Sequence, residues 1–317
     1  MTSQSGAAPA YTDNDIQQER GRKNSVDPFR SHHMLVEPEF CANGQVEDVA
    51  TVFLSNRECP FRCLMCDLWK NTTDDRVPVG AIPEQIRHAV QQLPPAQHIK
   101  LYNSGNFFDA QAIPPEDFSA IASLVRGFAT VIVENHPRLC HDRCVEFRDL
   151  CDTHLEIAIG LETSHEQTLR QLNKQMTTDD FARACEFLLG HGIRVRAFIL
   201  LKPPHTSEEQ GIERAVESTR FAFDHGVDCC SVIPTRAGNG IMKRLQKMDL
   251  FQPPQLRSLE KAIDETITWK RGRVFADLWE AEQFAECPAC ATARIARLNT
   301  INLSQRAVPP IVCKRCG

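Results

Sequence analysis

Between about residues 48 and 233, short apolar segments alternate six times with longer amphipathic segments. The short segments have strand length and are rich in branched aliphatic residues, whereas the longer ones carry apolar residues at helical spacing. This alternation is typical of parallel βα units. The predicted strands are residues 48–55, 98–104, 130–134, 154–162, 193–201 and 227–233, and the predicted helices include 83–93, 115–126, 137–151, 177–190 and 208–224.

Six βα units are too few to close an eight-stranded barrel, so they predict an α/β fold with a partial, open, TIM-like (βα)6 barrel. In such barrels the chemistry lies at the carboxyl ends of the strands. The predicted organisation is a disordered or irregular lead-in at 1–45, the barrel core at 46–240, a helical and strand extension completing the core at 241–286, and a metal-binding knuckle at 287–317.

The composition is that of a globular protein with a sizeable core, since 42% of residues are hydrophobic and 24% are charged. No apolar run reaches membrane-spanning length and the N-terminus is polar, which predicts no membrane partner and no signal peptide. Fourteen cysteines without a secretory signal favour metal binding in a reducing cytoplasm over disulfides. The net charge of −5 argues against nucleic-acid binding by the whole surface but leaves a local basic patch open.

Three cysteines, Cys59, Cys63 and Cys66, follow the first predicted strand with the spacing Cys-x3-Cys-x2-Cys. Three thiolates on a cubane iron–sulfur cluster leave one iron open to bind a second molecule. A structural zinc ion or a fully ligated cluster requires four ligands. The alternative is that these are three ordinary thiols of the core or surface.

The triplet, together with the segments KLYNSGNFFD at 100–109, AIGLET at 158–163 and LLKPP at 200–204, resembles the radical S-adenosylmethionine (radical SAM) superfamily. The resemblance covers about residues 48–240. It is closest to a branch that includes the Elongator catalytic subunit and the archaeosine-biosynthesis enzymes that act on transfer RNA. It implies a 4Fe-4S cluster on the three cysteines, whose open iron chelates the methionine moiety of S-adenosylmethionine. It also implies an external one-electron donor, whose electron cleaves the sulfonium to a 5′-deoxyadenosyl radical.

The resemblance also implies residues that hold the cofactor. Ser104, Gly105 and Asn106 occupy the place of a family turn that binds the cofactor's amino group, with the Asn106 amide oxygen replacing a glutamate; the alternative is an ordinary strand-to-loop turn. Glu134 directly follows four apolar strand residues and is expected to face the barrel mouth.

The fourth predicted strand carries a second group of candidates. Period-two alternation places Ala158 and Gly160 on the barrel interior with Glu162 at the top of that face. By resemblance Glu162 and Thr163 would meet the ribose hydroxyls or the methionine group. The alternative is that Glu162 is a surface carboxylate that caps the next helix.

Two further residues have open assignments. Lys202 would neutralise a carboxylate of the cofactor or substrate, or else pair with Glu134 or Glu162. Met65 takes the position where the family often places a side chain against the adenine, or else packs within its loop.

The C-terminal region contains two Cys-x2-Cys pairs, Cys287 with Cys290 and Cys313 with Cys316. Four thiolates suffice for a tetrahedral zinc site, so a zinc ribbon is favoured over a second iron–sulfur cluster or unligated thiols. The basic residues of this region predict either an RNA contact or a knuckle that only closes the C-terminus; they are Arg294, Arg297, Arg306, Lys314 and Arg315.

The sequence therefore predicts a radical SAM enzyme that modifies a nucleoside in transfer RNA, with a small metabolite or peptide as the alternative substrate. A prediction of another class is a non-catalytic, zinc-stabilised nucleic-acid-binding protein. That alternative requires zinc at both cysteine groups and no cleavage of the cofactor.

Overall fold

Eight strands lie side by side in chain order and form one curved, open sheet in this computed structural model, which describes residues 10–316. The first strand runs antiparallel to the second, and all later neighbours are parallel. The strands are β1 (His33–Phe40), β2 (Val46–Phe53), β3 (His98–Tyr102), β4 (Thr130–Asn135), β5 (His154–Glu162), β6 (Arg194–Leu201), β7 (Cys229–Pro234) and β8 (Arg273–Ala276).

Helices connect the strands and cover the outer face of the sheet. They are α1 (Asp13–Gln18), α2 (Ala81–Gln92), α3 (Phe118–Val125), α4 (Asp142–Cys151), α5 (Glu166–Gln171), α6 (Thr178–Gly190), α7 (Glu208–Asp224), α8 (Gly240–Lys247), α9 (Leu256–Ile267) and α10 (Ala291–Ser304). Helix α6 begins at a capping box formed by Thr177 and Asp180. None of the helices in the described chain is both long and apolar enough to span a membrane.

The main hydrophobic core lies between the sheet and these helices. In β5, residues Leu155, Ile157, Ile159 and Leu161 point into this core, because alternate residues of a strand share a face. The intervening side chains of β5 face the barrel interior, where buried polar groups are paired with one another. The partial α/β barrel predicted from the sequence is therefore confirmed, and the six predicted strands agree with β2–β7 to within two residues.

Two local predictions are wrong. The lead-in is not irregular over residues 10–45, because it contains α1 and β1; its first nine residues lie outside the described chain. It is ordered because Ile16 is buried in a second apolar cluster, and Met34 and Val36 pack on the main core. The helix predicted at 137–151 is a short 3-10 turn followed by α4, since the His141 backbone is extended and its ring accepts a hydrogen bond from the Arg143 N–H. The division into four regions stays a prediction.

The outer edge of β8 is covered by side chains of α10. The Asn302 amide donates to the Ala276 carbonyl and accepts from the Ala276 N–H, each at 2.9 Å. Gln305 does the same with Val274, at 3.0 and 2.7 Å. The two amides satisfy the backbone groups that a further strand would otherwise bond, and α10 thereby forms a side wall of the barrel.

Candidate active site

The loop that carries Cys59, Cys63 and Cys66 begins at the carboxyl end of β2 and is held by distant parts of the chain. The Leu64 N–H donates to the Leu172 carbonyl at 2.8 Å. The Asn239 side chain donates to the carbonyls of Leu64 and Cys66 at 2.8 and 2.9 Å. Asn239 was missed by sequence reasoning, because nothing in its local sequence indicates which loop it contacts.

The lead-in also supports this loop. Glu58, next to the first cysteine, forms ion pairs with Arg20 at 2.5 Å, Lys23 at 2.8 Å and Arg62 at 3.3 Å. Burial opposes ionisation of Glu58, but these cations hold its pKa below the ordinary value. The carboxylate therefore stays charged and fixes the start of the loop.

The three thiols of the loop are arranged differently from ligands of a single ion. Burial raises their pKa values, to about 11 for Cys59 and about 12 for Cys63 and Cys66. Among the described residues, the potential ligand groups whose atoms all lie within 4.8 Å of one another do not include this trio. The three thiols therefore do not form the compact group that ligands of a single ion would form.

The turn at the end of β3 contacts the first cysteine directly. Nδ2 of Asn106 donates to Sγ of Cys59 at 3.1 Å. A side chain at Gly105 would place a Cβ 3.3 Å from the Cβ of Cys59, so the glycine permits this close approach. The structure thus brings Ser104, Gly105 and Asn106 next to the cysteine loop.

Glu134, at the end of β4, organises that turn. Its Oε1 accepts the backbone N–H of Asn103 at 2.7 Å and of Gly105 at 3.3 Å. Burial raises the pKa of this carboxyl to about 7, although these N–H donors oppose the shift. Both polar atoms of the buried Asn103 side chain have no hydrogen-bond partner among the described residues.

The end of β5 carries a buried ion pair between Glu162 and Lys174, with Nζ and Oε1 2.7 Å apart. Burial opposes the charge of Lys174, but Glu162 and the neighbouring Cys63 raise its pKa. A Cβ at Gly160 would overlap both the Glu162 carboxylate and the Lys174 ammonium group, so glycine makes room for the pair. Lys174 was missed from the sequence, since it lies in a loop between α5 and α6 without a recognisable pattern.

Three of the candidate residues have left-handed backbones at the carboxyl ends of strands. Ser104, Glu162 and Lys202 have φ angles of 53°, 61° and 55°. Residues other than glycine adopt this conformation at a cost in free energy, and such residues concentrate at functional sites. Thr163 directly follows Glu162 and is buried.

The remaining candidates make contacts that differ from the expected ones. Lys202 is paired with Glu208 at the start of α7, so the expected pairing with Glu134 or Glu162 is wrong. The left-handed turn directs the lysine toward the helix that follows its own strand. Met65 is half-buried and packs against the second apolar cluster, which fits the alternative of loop packing.

The cysteine loop adjoins a cavity of about 1220 Å³ inside the barrel. Its floor is charged, with Glu39, Lys100 and Arg196, and aromatic side chains line its walls. Trp279 lies at its opening and is 54% exposed. Other lining residues include Phe53, Asp67, Leu68, Tyr102, Ser104, Glu134, Phe198, Phe275, Glu280, Glu282, Asn299 and Asn302.

The C-terminal cysteines form a compact group. Sγ of Cys287 lies 4.0 Å from Sγ of Cys313, and Cys290 lies 3.6 Å from Cys316; all four atoms are within 4.8 Å of one another. Tetrahedral zinc with Zn–S bonds of about 2.3 Å separates its sulfurs by about 3.8 Å. The four thiols therefore fit a zinc-ribbon-like appendage, as the sequence predicts.

Two arginines of this region are not available to RNA. Arg294 and Arg297 are buried, and both pair with Glu260 of α9. Arg297 also binds Asp264 at 2.6 Å, and Nε of Arg294 donates to Sγ of Cys290 at 3.2 Å. The predicted basic RNA contact is thus wrong for these two residues, because the acidic face of α9 neutralises them.

Residues 54–216, just over half of the chain, match the family model of the Radical SAM superfamily. The chain belongs to this superfamily of iron–sulfur enzymes, as the cysteine triplet and the strand ends predict. Two named relatives, at 28% and 26% identity, are enzymes of the branch that the sequence resembles.

An uncharacterised protein of Methanocaldococcus jannaschii is 24% identical over 231 residues, which cover 68% of this chain and 63% of that protein. Archaeosine synthase subunit beta of Thermococcus kodakarensis is 28% identical over 219 residues, 66% of either protein. The chain thus spans slightly less than two thirds of the length of these relatives. The archaeal Elp3 of Methanocaldococcus infernus has a similar fold, with a TM-score of 0.52 at 15% identity, over 70% of this chain and 59% of that one.

Proposed function

We propose that this protein binds a 4Fe-4S cluster at Cys59, Cys63 and Cys66, cleaves S-adenosylmethionine reductively and modifies a nucleoside in transfer RNA. The observation that supports this best is the cavity beside the cysteine loop. Its volume of about 1220 Å³ exceeds the roughly 300–1,000 Å³ of ordinary small-molecule sites, which leaves room for a cofactor and a second molecule.

The residues around the loop fit these cofactors. Three thiols without a fourth ligand suit a cluster with one open iron, and the buried Asn103 amide offers polar atoms that have no partner among the described residues. When bound, the cluster and S-adenosylmethionine supply the reductive cleavage that is general to the family. The electron comes from an external donor.

Within this proposal each residue of the chain has a positioning task. Asn106 hydrogen-bonds the first cysteine, and Glu134 holds the backbone of the turn that carries Asn106. The Glu162–Lys174 pair presents opposite charges next to the loop, matching an amino acid moiety that carries both charges. Thr163 follows Glu162 at the same strand end. Lys202 and Met65 are the weakest members of the predicted set, since both are engaged elsewhere.

Transfer RNA is proposed as the substrate because two relatives are archaeosine synthase subunits, and because the sequence resembles the archaeosine-biosynthesis enzymes that act on transfer RNA. The exposed Trp279 at the cavity opening provides a face on which an unpaired base can stack. Arg306, Lys314 and Arg315 remain exposed cations near the C-terminus. We further propose zinc at the C-terminal cysteines and a reducing cytoplasm as the location.

One observation favours a small metabolite or peptide instead. Glu280 and Glu282 are exposed at the cavity opening and form no ion pair among the described residues. Carboxylates at that position repel phosphate groups, so they favour a neutral or cationic substrate over a nucleic-acid backbone. A transfer RNA substrate must therefore place a base, rather than a phosphate, at this opening.

The test is an anaerobic reconstitution with iron and sulfide, followed by dithionite and S-adenosylmethionine. The readouts are 5′-deoxyadenosine and the nucleosides of transfer RNA taken from cells that lack this protein, both by mass spectrometry. We expect 5′-deoxyadenosine that disappears in Cys63→Ala, and a nucleoside mass change that requires the wild-type chain.

Two other outcomes separate the alternatives. Formation of 5′-deoxyadenosine without any change in transfer RNA would point to a small substrate. Zinc at both cysteine groups without any 5′-deoxyadenosine would leave a non-catalytic metal-binding protein.

A further inference from the structure

A third group of potential metal ligands lies at the opposite end of the barrel from the cysteine loop. Cys41 follows β1, Glu47 belongs to β2 and His98 begins β3. The sulfur, one carboxylate oxygen and one ring nitrogen all lie within 4.8 Å of one another. Cys41 and His98 are 5% and 6% exposed, so two of the three ligands are already removed from water.

The existing contacts within the group are weak or exchangeable. Nε2 of His98 lies 2.8 Å from Oε2 of Glu47, which also accepts the Asn43 amide at 2.8 Å. The Cys41 thiol lies 3.4 Å from the Glu39 carbonyl, a contact that any thiol makes at low cost. A metal ion would replace the hydrogen shared between His98 and Glu47.

A buried ionic network lies next to this group and is balanced in charge. Glu39 pairs with Lys100 and with Arg196 at 2.6 Å, and Glu156 pairs with Arg196 at 2.7 Å. Arg273 connects Glu156 at 2.9 Å with Asp228 at 3.3 Å. Three carboxylates thus face three permanent cations, which are Lys100, Arg196 and Arg273.

Glu47 is different from these carboxylates, since none of its ion pairs among the described residues is with a lysine or arginine. The three cations of the adjacent network are already paired with its own carboxylates. Together, a Cys41 thiolate and the Glu47 carboxylate carry two negative charges, which a divalent cation balances.

We propose that Cys41, Glu47 and His98 bind a single divalent transition-metal ion of the zinc class. One thiolate, one imidazole and one carboxylate form a ligand set typical of zinc, with bond lengths of about 2.0–2.3 Å. The fourth ligand is a water molecule that enters beside Glu47, whose side chain is 27% exposed. Ligands from three successive strands place the ion at the amino ends of the parallel strands, where it ties β1 and β2 to β3.

The site lies away from the cysteine loop and is independent of the proposed chemistry at the other end of the barrel. It joins β1, the antiparallel edge strand, to the parallel sheet at the end where the ionic network lies. Metal binding releases the proton of the Cys41 thiol, so the three ligands together become more negative when the ion is bound.

The test compares metal contents of the full chain after the cluster is reconstituted, so that the cysteine loop is occupied. Wild-type protein and single variants are equilibrated with zinc, dialysed against a weak chelator and analysed by elemental mass spectrometry. We expect Cys41→Ala to hold one zinc ion fewer per chain than wild type. Cys313→Ser should also hold one fewer, because it loses the zinc ion of the C-terminal cysteines. Cys185→Ala, which removes a buried thiol far from both groups, is the matched control and should retain all of the zinc.

Cobalt substitution distinguishes the two sites spectroscopically, because charge transfer from one thiolate is weaker than from four. The Cys313→Ser variant should retain the weak band, and Glu47→Gln, which keeps the shape of the side chain, should lose it. Equal zinc contents in wild type, Cys41→Ala and Glu47→Gln would overturn the proposal and leave a metal-free His98–Glu47 hydrogen bond. The proposal is also overturned if Cys41→Ala is unfolded but Glu47→Gln is folded and keeps its full zinc content.

Discussion

The cysteine loop beside the cavity and the C-terminal cysteine group are both built from thiols, but they serve different purposes. The loop with Cys59, Cys63 and Cys66 supplies three thiols that do not all lie within 4.8 Å of one another, and it borders the cavity. The knuckle supplies four thiols within 4.8 Å, and its nearest partners are Arg294 and α9. An incomplete ligand set beside a cavity serves binding, whereas a complete one serves stability.

The contacts that hold the two cysteine groups in place also differ. The cysteine loop is held by hydrogen bonds and ion pairs from many segments, among them Asn239, Leu172 and the lead-in. The knuckle is attached to two neighbouring helices, to α10 through the cap residue Cys290 and to α9 through Arg257, which donates to the Cys316 carbonyl. The loop therefore depends on the whole fold, whereas the knuckle controls one wall of it.

The largest expected effect comes from removing one thiol at the loop. Cys63→Ala should lose its cluster iron and all production of 5′-deoxyadenosine but keep the zinc of the knuckle, because the two groups share no ligand. Iron and zinc contents per chain measure this directly. Cys151→Ala, at a buried thiol of α4, is the control. Simultaneous loss of both metals would mean that the two groups are not independent.

The corresponding change at the knuckle should mainly affect stability. Cys313→Ser should release zinc and lower the free energy of unfolding by more than about 3 kcal/mol, since structural zinc contributes directly to folding. Hydrogen exchange at the Val274 and Ala276 amides should accelerate as α10 loosens, while cluster iron remains. Lys314→Ala, exposed in the same knuckle, should change neither quantity. Unchanged hydrogen exchange at these amides would show that the knuckle does not hold α10 against β8.

The buried pair beside the cysteine loop gives the next effect. Lys174→Met leaves Glu162 charged and buried without a partner, which costs about 3–5 kcal/mol of unfolding free energy. Lys174→Arg keeps the positive charge and should lose much less unfolding free energy. Urea unfolding measures the stability, and equilibrium dialysis with S-adenosylmethionine measures whether the charge also serves binding. Equal stabilities of the two variants would show that the ion pair is not what matters.

Glu134 provides a pH dependence on the cavity side of this comparison. Its pKa of about 7 lies above the ordinary value of a glutamate, so the folded state holds this proton more tightly than the unfolded state. The stabilisation is complete below the ordinary pKa and is lost as the pH rises through about 7. Relative to Glu134→Gln, the wild-type protein should thus lose about 1–3 kcal/mol of unfolding free energy between pH 5 and pH 8. Parallel stability curves for the two proteins would contradict this.

The smallest effect is expected at the exposed cations of the C-terminus. Replacing Arg306, Lys314 and Arg315 by alanine should weaken transfer RNA binding several-fold. It should also reduce the salt dependence of binding: the slope of log affinity against log salt concentration should become shallower by somewhat less than one unit for each lost phosphate contact. Unfolding free energy should stay the same, in contrast to Arg297→Met. Unchanged RNA affinity over a range of salt would exclude the knuckle as an RNA contact.

The parts of the fold that repeat could be predicted from the sequence. Strands such as β5 show strict alternation over nine residues, and that period is a local property. Strand β8 has only four residues, and the eight residues of β1 include Pro38 and two glutamates, so neither shows a clear apolar pattern. Their positions depend on neighbours far along the chain.

The candidate site divides in the same way. The cysteines and the strand-end residues Ser104 and Glu162 have fixed places relative to predicted strands, which made them recognisable. Lys174 and Asn239 reach the site through tertiary packing of loops, which no local pattern encodes. For Arg294 and Arg297 the sequence suggested a role that the structure removes. Their positive charges are visible in the sequence, but their pairing with Glu260 is visible only in the structure.

The amides of Asn302 and Gln305 have a consequence for how this protein behaves in the test tube and in the cell. A chain that ended before α10 would leave the backbone of β8 open at the edge of a long parallel sheet. Such an edge pairs readily with the edge of another copy, and the product is an aggregate. The Asn302 and Gln305 amides therefore act as a protective cap on this edge, and we expect the protein to become less soluble when both are replaced by apolar side chains.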